Sequence, residues 1–236
     1  MKSSRLFPQI VLVLFFIVTL PRLALAGTDI WSGGGGNNDL FWLSPVNWQA
    51  GTLPLPGDQL VFTNAVSLVN SNNYPVASIF GGITFATPSG GYVLNGHSIT
   101  LTNSITDQQV VTPETVNLPL IVNTPFNLNL DVTANGELDL NNRISGSGTI
   151  TNSGNGVVVL NGSNTFAGPL VINAGTVVVS QDTNLPAAPT NFTAGNIVIN
   201  GGTLQALASF GLNTMVSRWD RTRAAARGPS VSTASP

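Results

Sequence analysis

The sequence contains no cysteine. A disulfide framework is therefore excluded even in an oxidising compartment, and stability has to come from a packed core or a repeating lattice. Charge is almost as scarce. Of eight Lys and Arg residues, three fall near the start (Lys2, Arg5, Arg22) and four near the end (Arg218, Arg221, Arg223, Arg227), leaving Arg143 alone between them. Nine of the ten acids lie in that middle stretch, so residues 27–217 carry a formal charge of −8, one positive against nine negative. A nucleic-acid binder needs a basic face to meet phosphates, and this composition denies it one. Helical periodicity is missing as well beyond the first thirty residues.

What is present begins with a leader pattern. Lys2 and Arg5 precede an apolar run from Ile10 to Leu20, Pro21 ends it, and Ala24-Leu25-Ala26 forms an A-x-A signal before Gly27. Positive start, short apolar centre and small-residue cleavage site make residues 1–26 a secretory signal peptide. The run is shorter than the roughly 20 apolar residues needed to span a bilayer as a helix.

The body consists of short runs of Val, Ile and Leu punctuated by Asn and Gly. Val157-Val158-Val159-Leu160 meets Asn161-Gly162, and Leu170-Val171-Ile172 meets Asn173-Ala174-Gly175. β-Branched residues favour strands, and Asn and Gly tolerate the backbone angles of tight turns. The runs recur. GPLVINAGTVVV from Gly168 aligns without gaps to GNIVINGGTLQA from Gly195, 27 residues on. Ile99, Leu101, Asn103 and Ile105 likewise echo Leu138, Leu140, Asn142 and Ile144 at an offset of 39. Strands returning at about one coil length predict a solenoid, in which each coil buries its apolar side on its neighbours. Stacked Asn side chains are expected to form amide ladders at the turns, whereas stacked Lys or Glu would repel across a strand spacing of about 4.8 Å.

Residues 27–62 differ in texture, with Trp31, Trp42 and Trp48 among Gly and Pro. They read as a cap over the open coil end, because an exposed terminal coil is an adhesive edge. The alternative is a sugar-stacking platform in which Trp31, Trp42 and Trp48 contact carbohydrate. Residues 63–145 are then irregular coils, 146–213 regular repeats, and 214–236 a disordered tail. In that tail a shifted reading frame can spell Gly-Ser-Gly-Thr-Ile across Ala225–Ser230, the same five residues as at 146–150, so a frame change is one origin for its abrupt arginine-rich composition.

Candidate chemistry is thin. Asp131, Glu137 and Asp139 form the densest acid group, and a carboxylate pair could serve as acid and base at a glycosidic bond. Alternation with Leu138 and Leu140 puts Asp139 on an outer strand face instead. His97 falls in a turn, where a solvated side chain is the expected state. Gly33–Gly36 lacks the Lys and helix of a phosphate loop and reads as flexible. No spacing suggests a metal site, and the sequence calls for no cofactor and no catalytic residue.

The ordered series Gly146-Ser147-Gly148-Thr149-Ile150, Gly162-Ser163-Asn164-Thr165-Phe166-Ala167-Gly168 and Asn173-Ala174-Gly175-Thr176-Val177 resembles the autotransporter-associated β-strand repeat, also called the passenger-associated transport repeat. Phe166 stands where the repeat usually has Tyr and Val177 where it has Leu. One copy spans 146–179 and a partial one 195–204. The resemblance implies a right-handed parallel β-helix in a passenger exported across a Gram-negative-type envelope, secreted or surface-exposed, non-enzymatic, with a structural or adhesive role. Cell-surface or extracellular polysaccharide is the partner class that the Trp residues and the acid group suggest, and an unsealed coil end suggests self-association. The alternative is a secreted β-helix that binds or cleaves polysaccharide.

Overall fold

Alternation governs the backbone. In Val157–Leu160 and in Gln59–Phe62 every second side chain is buried and its neighbours are partly exposed, the period-two pattern of strands with one face on a core. The computed structural model describes residues 26–63, 66–88, 90–188, 195–210 and 231–233. Among them there is no α-helix, only strands and three short 3-10 turns.

A lead-in strand, β1 (Thr28–Trp31), is followed by four coils of three strands each. These are β2 (Gln59–Phe62), β3 (Val69–Asn72) and β4 (Ser78–Phe80), then β5 (Gly82–Phe85), β6 (Val93–Gly96) and β7 (Ile99–Leu101). Next come β8 (Ser104–Asp107), β9 (Glu114–Val116) and β10 (Leu120–Ile121), then β11 (Leu128–Val132), β12 (Glu137–Leu140) and β13 (Ile144–Ser145). Later coils contribute two strands: β14 (Ile150–Asn152) and β15 (Val157–Leu160), β16 (Leu170–Ile172) and β17 (Thr176–Val179), β18 (Ile197–Ile199) and β19 (Thr203–Ala206). A last strand, β20 (Val231–Thr233), pairs with β19.

Corresponding strands stack into three parallel sheets, β1-β2-β5-β8-β11-β14-β16-β18, β3-β6-β9-β12-β15-β17-β19-β20 and β4-β7-β10-β13. The molecule is an all-β parallel solenoid. Leu60, Ile83, Ile105 and Leu130 are register partners in turn, with coils of 23, 22 and 25 residues, and all four are fully buried. Burying such a side chain contributes roughly 1.5–3 kcal/mol; repeated on every coil, it makes the stack one continuous core.

The 27-residue repeat is a true coil step: Leu170 pairs with Ile197 and Val177 with Leu204. The 39-residue echo is not. Ile99 stacks on Leu120 and through it on Ile144 in the third sheet, whereas Leu138 stands between Glu114 and Val158 in the second. Alternating apolar residues look alike on every face, so an offset that spans more than one coil matched positions on different sheets.

Glycines permit the close stacking. Gly146 has φ +109° and a Cβ there would lie 2.1 Å from Val122 O; at Gly168 it would lie 2.1 Å from Gly148 O. Of the tail expected to be disordered, 231–233 form β20, and the remaining residues of 214–236 lie outside the described ones. The leader, except Ala26, lies outside them too.

Candidate functional site

Three regions could carry function: the tryptophan-rich N-terminal end, the acidic strand positions, and the asparagine corner of the coils.

At the N-terminal end the strands dictate where the indoles point. Trp31 ends β1, in register with inward-facing Phe62. Trp42 N–H donates to Ser71 O and Ser71 N–H to Leu40 O, so the chain here continues the second sheet beyond β3. Trp31, Trp42 and Trp48 are 0%, 0% and 2% exposed. Their rings pack edge to face, Trp31–Trp48 at 5.3 Å and Trp42–Trp48 at 6.3 Å, and Trp42 also meets Phe62 and Phe80. Each indole N–H is already committed: Trp31 Nε1 to Ser67 O at 3.0 Å, Trp42 Nε1 to Asn70 Oδ1 at 2.7 Å, Trp48 Nε1 to Trp42 O at 2.7 Å. A ring with no accessible face cannot stack on a sugar, which corrects the carbohydrate-platform reading of Trp31, Trp42 and Trp48.

The same segment covers an edge. Ser32 N–H donates to Asn47 O and Gln49 N–H to Ile30 O, both at 2.8 Å, so residues 47–49 run along the free side of β1. That removes a row of unpaired backbone groups which would otherwise template another strand. Asn47, fully buried, ties the turn together: Nδ2 donates to Asp39 O and Phe41 O, and Oδ1 accepts from Gly35 N–H at 2.8 Å. Sequence reasoning missed Asn47, because nothing along the chain marks an asparagine before Trp48 as buried. The glycine run is corrected likewise. A Cβ would lie 2.9 Å from Ser67 N at Gly33, 2.4 Å from Val46 O at Gly34 and 2.7 Å from the Asp39 side chain at Gly35, so Gly33–Gly35 is packed against its neighbours and only Gly36 faces open space.

The acids do not converge. Asp131 is exposed on β11 in the first sheet, while Glu137 and Asp139 lie on β12 in the second. Asp139 alternates with buried Leu138 and Leu140, as its sequence predicts. Burial, then the neighbouring Glu137 charge, raises its pKa. One acid that sequence reasoning missed is Asp107, 1% exposed. Burial lifts its pKa to about 6 against the bond accepted from Gln109 N–H at 2.8 Å, and its Oδ2 has no partner. Asp107 and Asp131 border one polar hollow of about 310 Å³ with Thr106, Gln108, Ser153 and Asn155. Asp107 registers with buried Val132 and Asp131 with outward Thr106, so the two carboxyls leave the sheet on opposite faces. His97 is exposed in its turn, Nδ1 2.7 Å from Tyr74 O. Among the described residues no three His, Cys, Asp or Glu gather as a metal-binding group.

The asparagine corner is a ladder. Asn117 Nδ2 donates to Asn95 Oδ1 at 2.9 Å, Asn141 Nδ2 to Asn117 Oδ1 at 3.1 Å, and Asn161 Nδ2 to Asn141 Oδ1 at 2.7 Å. A second such step joins Asn200 to Asn173 at 2.9 Å. Beside the main ladder, Arg143, Asn142 and Ser163 line an open hollow of about 370 Å³ with Asn141 and Asn161. Arg143 is the one cationic side chain among the described residues.

Residues 150–179 match the family model of the passenger-associated-transport-repeat. No curated protein and no solved structure matches the chain. The matched segment covers β14 to β17 and includes Phe166, fully buried between coils where Thr165 N–H and Ala167 N–H donate to Ile144 O and Gly146 O.

Proposed function

Because the chain carries a passenger-associated transport repeat within a parallel β-solenoid, we propose that it is an exported, non-enzymatic passenger scaffold with a structural or adhesive role at the exterior of a Gram-negative-type cell. The observation that carries this reading is the placement of the repeat. Residues 150–179 form two consecutive coils in register with those before and after them, in a stack whose first strand is covered and whose corner is bridged by amides. Such a stack is a stiff rod, suited to holding surfaces apart or presenting its sides.

With the indoles enclosed, the adhesive part of the role falls to the corner around Arg143, where amides and one guanidinium offer hydrogen bonds to an extracellular polysaccharide. Self-association belongs to the other end. Among the described residues β18 has a partner strand on one side only, and a second copy could add there.

The test is expression with the leader in a Gram-negative host, followed by cell fractionation, surface proteolysis and polysaccharide depletion assays. Surface or medium localisation, no polymer turnover, and binding weakened by Arg143→Ala but not by Asp131→Ala are expected. Turnover abolished by Asp131→Ala, or retention in the cytoplasm, would overturn the reading. In light scattering, purified chain should show mass rising with concentration; a constant monomer mass would remove the role given to β18.

A further inference from the structure

Where β1 meets the first coil, Asp29 and Asp58 form a carboxyl pair with no cationic side chain beside it among the described residues. Asp58, 7% exposed, accepts Gly27 N–H on Oδ1 at 2.6 Å and Leu55 N–H on Oδ2 at 2.7 Å. Asp29 on β1 is hydrogen-bonded to Asp58, and its Oδ2 is buried without a partner. The only described cationic side chain, Arg143, precedes β13, three coils away. Among the described residues these two adjacent acids therefore have no cationic side chain beside them.

Gly27 is the residue that follows the A-x-A signal. Its carbonyl accepts Gln59 N–H at 2.9 Å, which fixes it one step before the Thr28–Gln59 register pair. A Cβ there would lie 3.3 Å from Asp58 Oδ1, so glycine leaves the carboxylate open to its own nitrogen. Hydrolysis of the Ala26–Gly27 peptide bond consumes one water, leaves a carboxylate on Ala26, and turns the Gly27 amide into an amine that is protonated at neutral pH. One neutral donor becomes a positive group with three donors, already held at a carboxylate.

We propose that Asp58 and Asp29 form the binding site for the chain's own α-ammonium at Gly27, so that removal of the leader completes the electrostatics of the first coil. This rests on the export reading above. Before cleavage, burial and then the hydrogen bond and charge of Asp58 lift the Asp29 pKa to about 6. Tyr74, whose hydroxyl donates to Pro54 O at 3.0 Å, is pushed to about 12 by burial and then by the charges of Asp29 and Asp58. After cleavage, opposite charge favours the carboxylate form of Asp29, and the ammonium proton is held more firmly. The pH dependence contributed by the pair consequently reverses. With the leader attached, Asp29 weakens the fold as pH rises from about 4 through 6. In the processed chain the ammonium favours the Asp29 carboxylate, which then supports the fold at neutral pH, and that support is lost as acid protonates it.

The experiment compares residues 27–236 bearing a free Gly27 amine with the same chain acetylated at Gly27. Carboxyl and α-amino NMR titrations and thermal unfolding from pH 4 to 8 are the readouts, and N-terminal sequencing is applied to the exported protein. The free form should hold its α-amino proton at least tenfold more tightly than the roughly 7.7–8.0 of an ordinary terminus. Asp29 should titrate at or below its ordinary range in that form, and near 6 when acetylated. Asp58→Asn should return the amine to its ordinary value. An ordinary α-amino pKa with identical Asp29 titrations in both forms would overturn the site while leaving export intact. An exported chain starting elsewhere than Gly27 would overturn the processing step instead.

Discussion

Asn141 donates through Nδ2 to Oδ1 of Asn117 at 3.1 Å, although 24 residues separate them in the chain. The bond is the middle step of a ladder from Asn95 to Asn161, and each interior amide both donates and accepts. Asn117→Ala removes two steps at once. With each hydrogen bond contributing a net of roughly 0.5–1.5 kcal/mol, stability should fall by about 1–3 kcal/mol. Urea unfolding should show a lower midpoint with an unchanged slope, and an unchanged midpoint would mean the ladder is ornamental.

Trp42 touches Trp48, Phe62 and Phe80 and bonds Asn70. Trp42→Ala should cost about 3–5 kcal/mol, the usual range for emptying a buried indole site. Near-ultraviolet circular dichroism should lose aromatic signal at the same time. Polysaccharide binding per folded molecule should stay unchanged; selective loss of binding in a variant with native stability would restore a surface role to the ring.

Asp107 gives a pH signature. Its folded pKa of about 6 lies above the ordinary 3.8, so the folded chain holds this proton more firmly than the unfolded chain does. Stability from this group is therefore full below about pH 4 and lost as pH rises to 6 and beyond. Asp107→Asn should flatten the profile between pH 4 and 7, narrowing its gap to the parent as pH rises. Parallel profiles for parent and variant would show that Asp107 keeps an ordinary pKa.

Gly168 fits against Gly148 O with no room for a side chain. Gly168→Ala should force the two coils apart and cost about 1–3 kcal/mol, as overpacking usually does. Hydrogen exchange should quicken first at Ala167 and Ile150, which bond to Gly146 O and Pro169 O across that seam. Unaltered exchange there would mean the coils separate freely.

Much of the fold was legible before any coordinates. Val157–Leu160 and Leu170–Ile172 are strands because β-branched runs end at Asn and Gly, and the 27-residue repeat is the actual register of β16 on β18. Asp107 was legible too, since counting by twos from inward-facing Ile105 places it inside. The 39-residue echo failed because alternation carries no label for which sheet a strand joins.

Sequence alone determined the solenoid, the stacked asparagines and the scarcity of charge, which follow from local alternation and from like residues recurring at coil spacing; its parallel strand order was what the repeat resemblance implied. Tertiary structure alone decided that Trp31, Trp42 and Trp48 face inward, that residues 47–49 cover β1, and that Gly27 lies on Asp58. Those outcomes depend on contacts between segments up to 36 residues apart. The partner of an indole or a carboxylate there is set by how coils close over one another, which no pattern along the chain records.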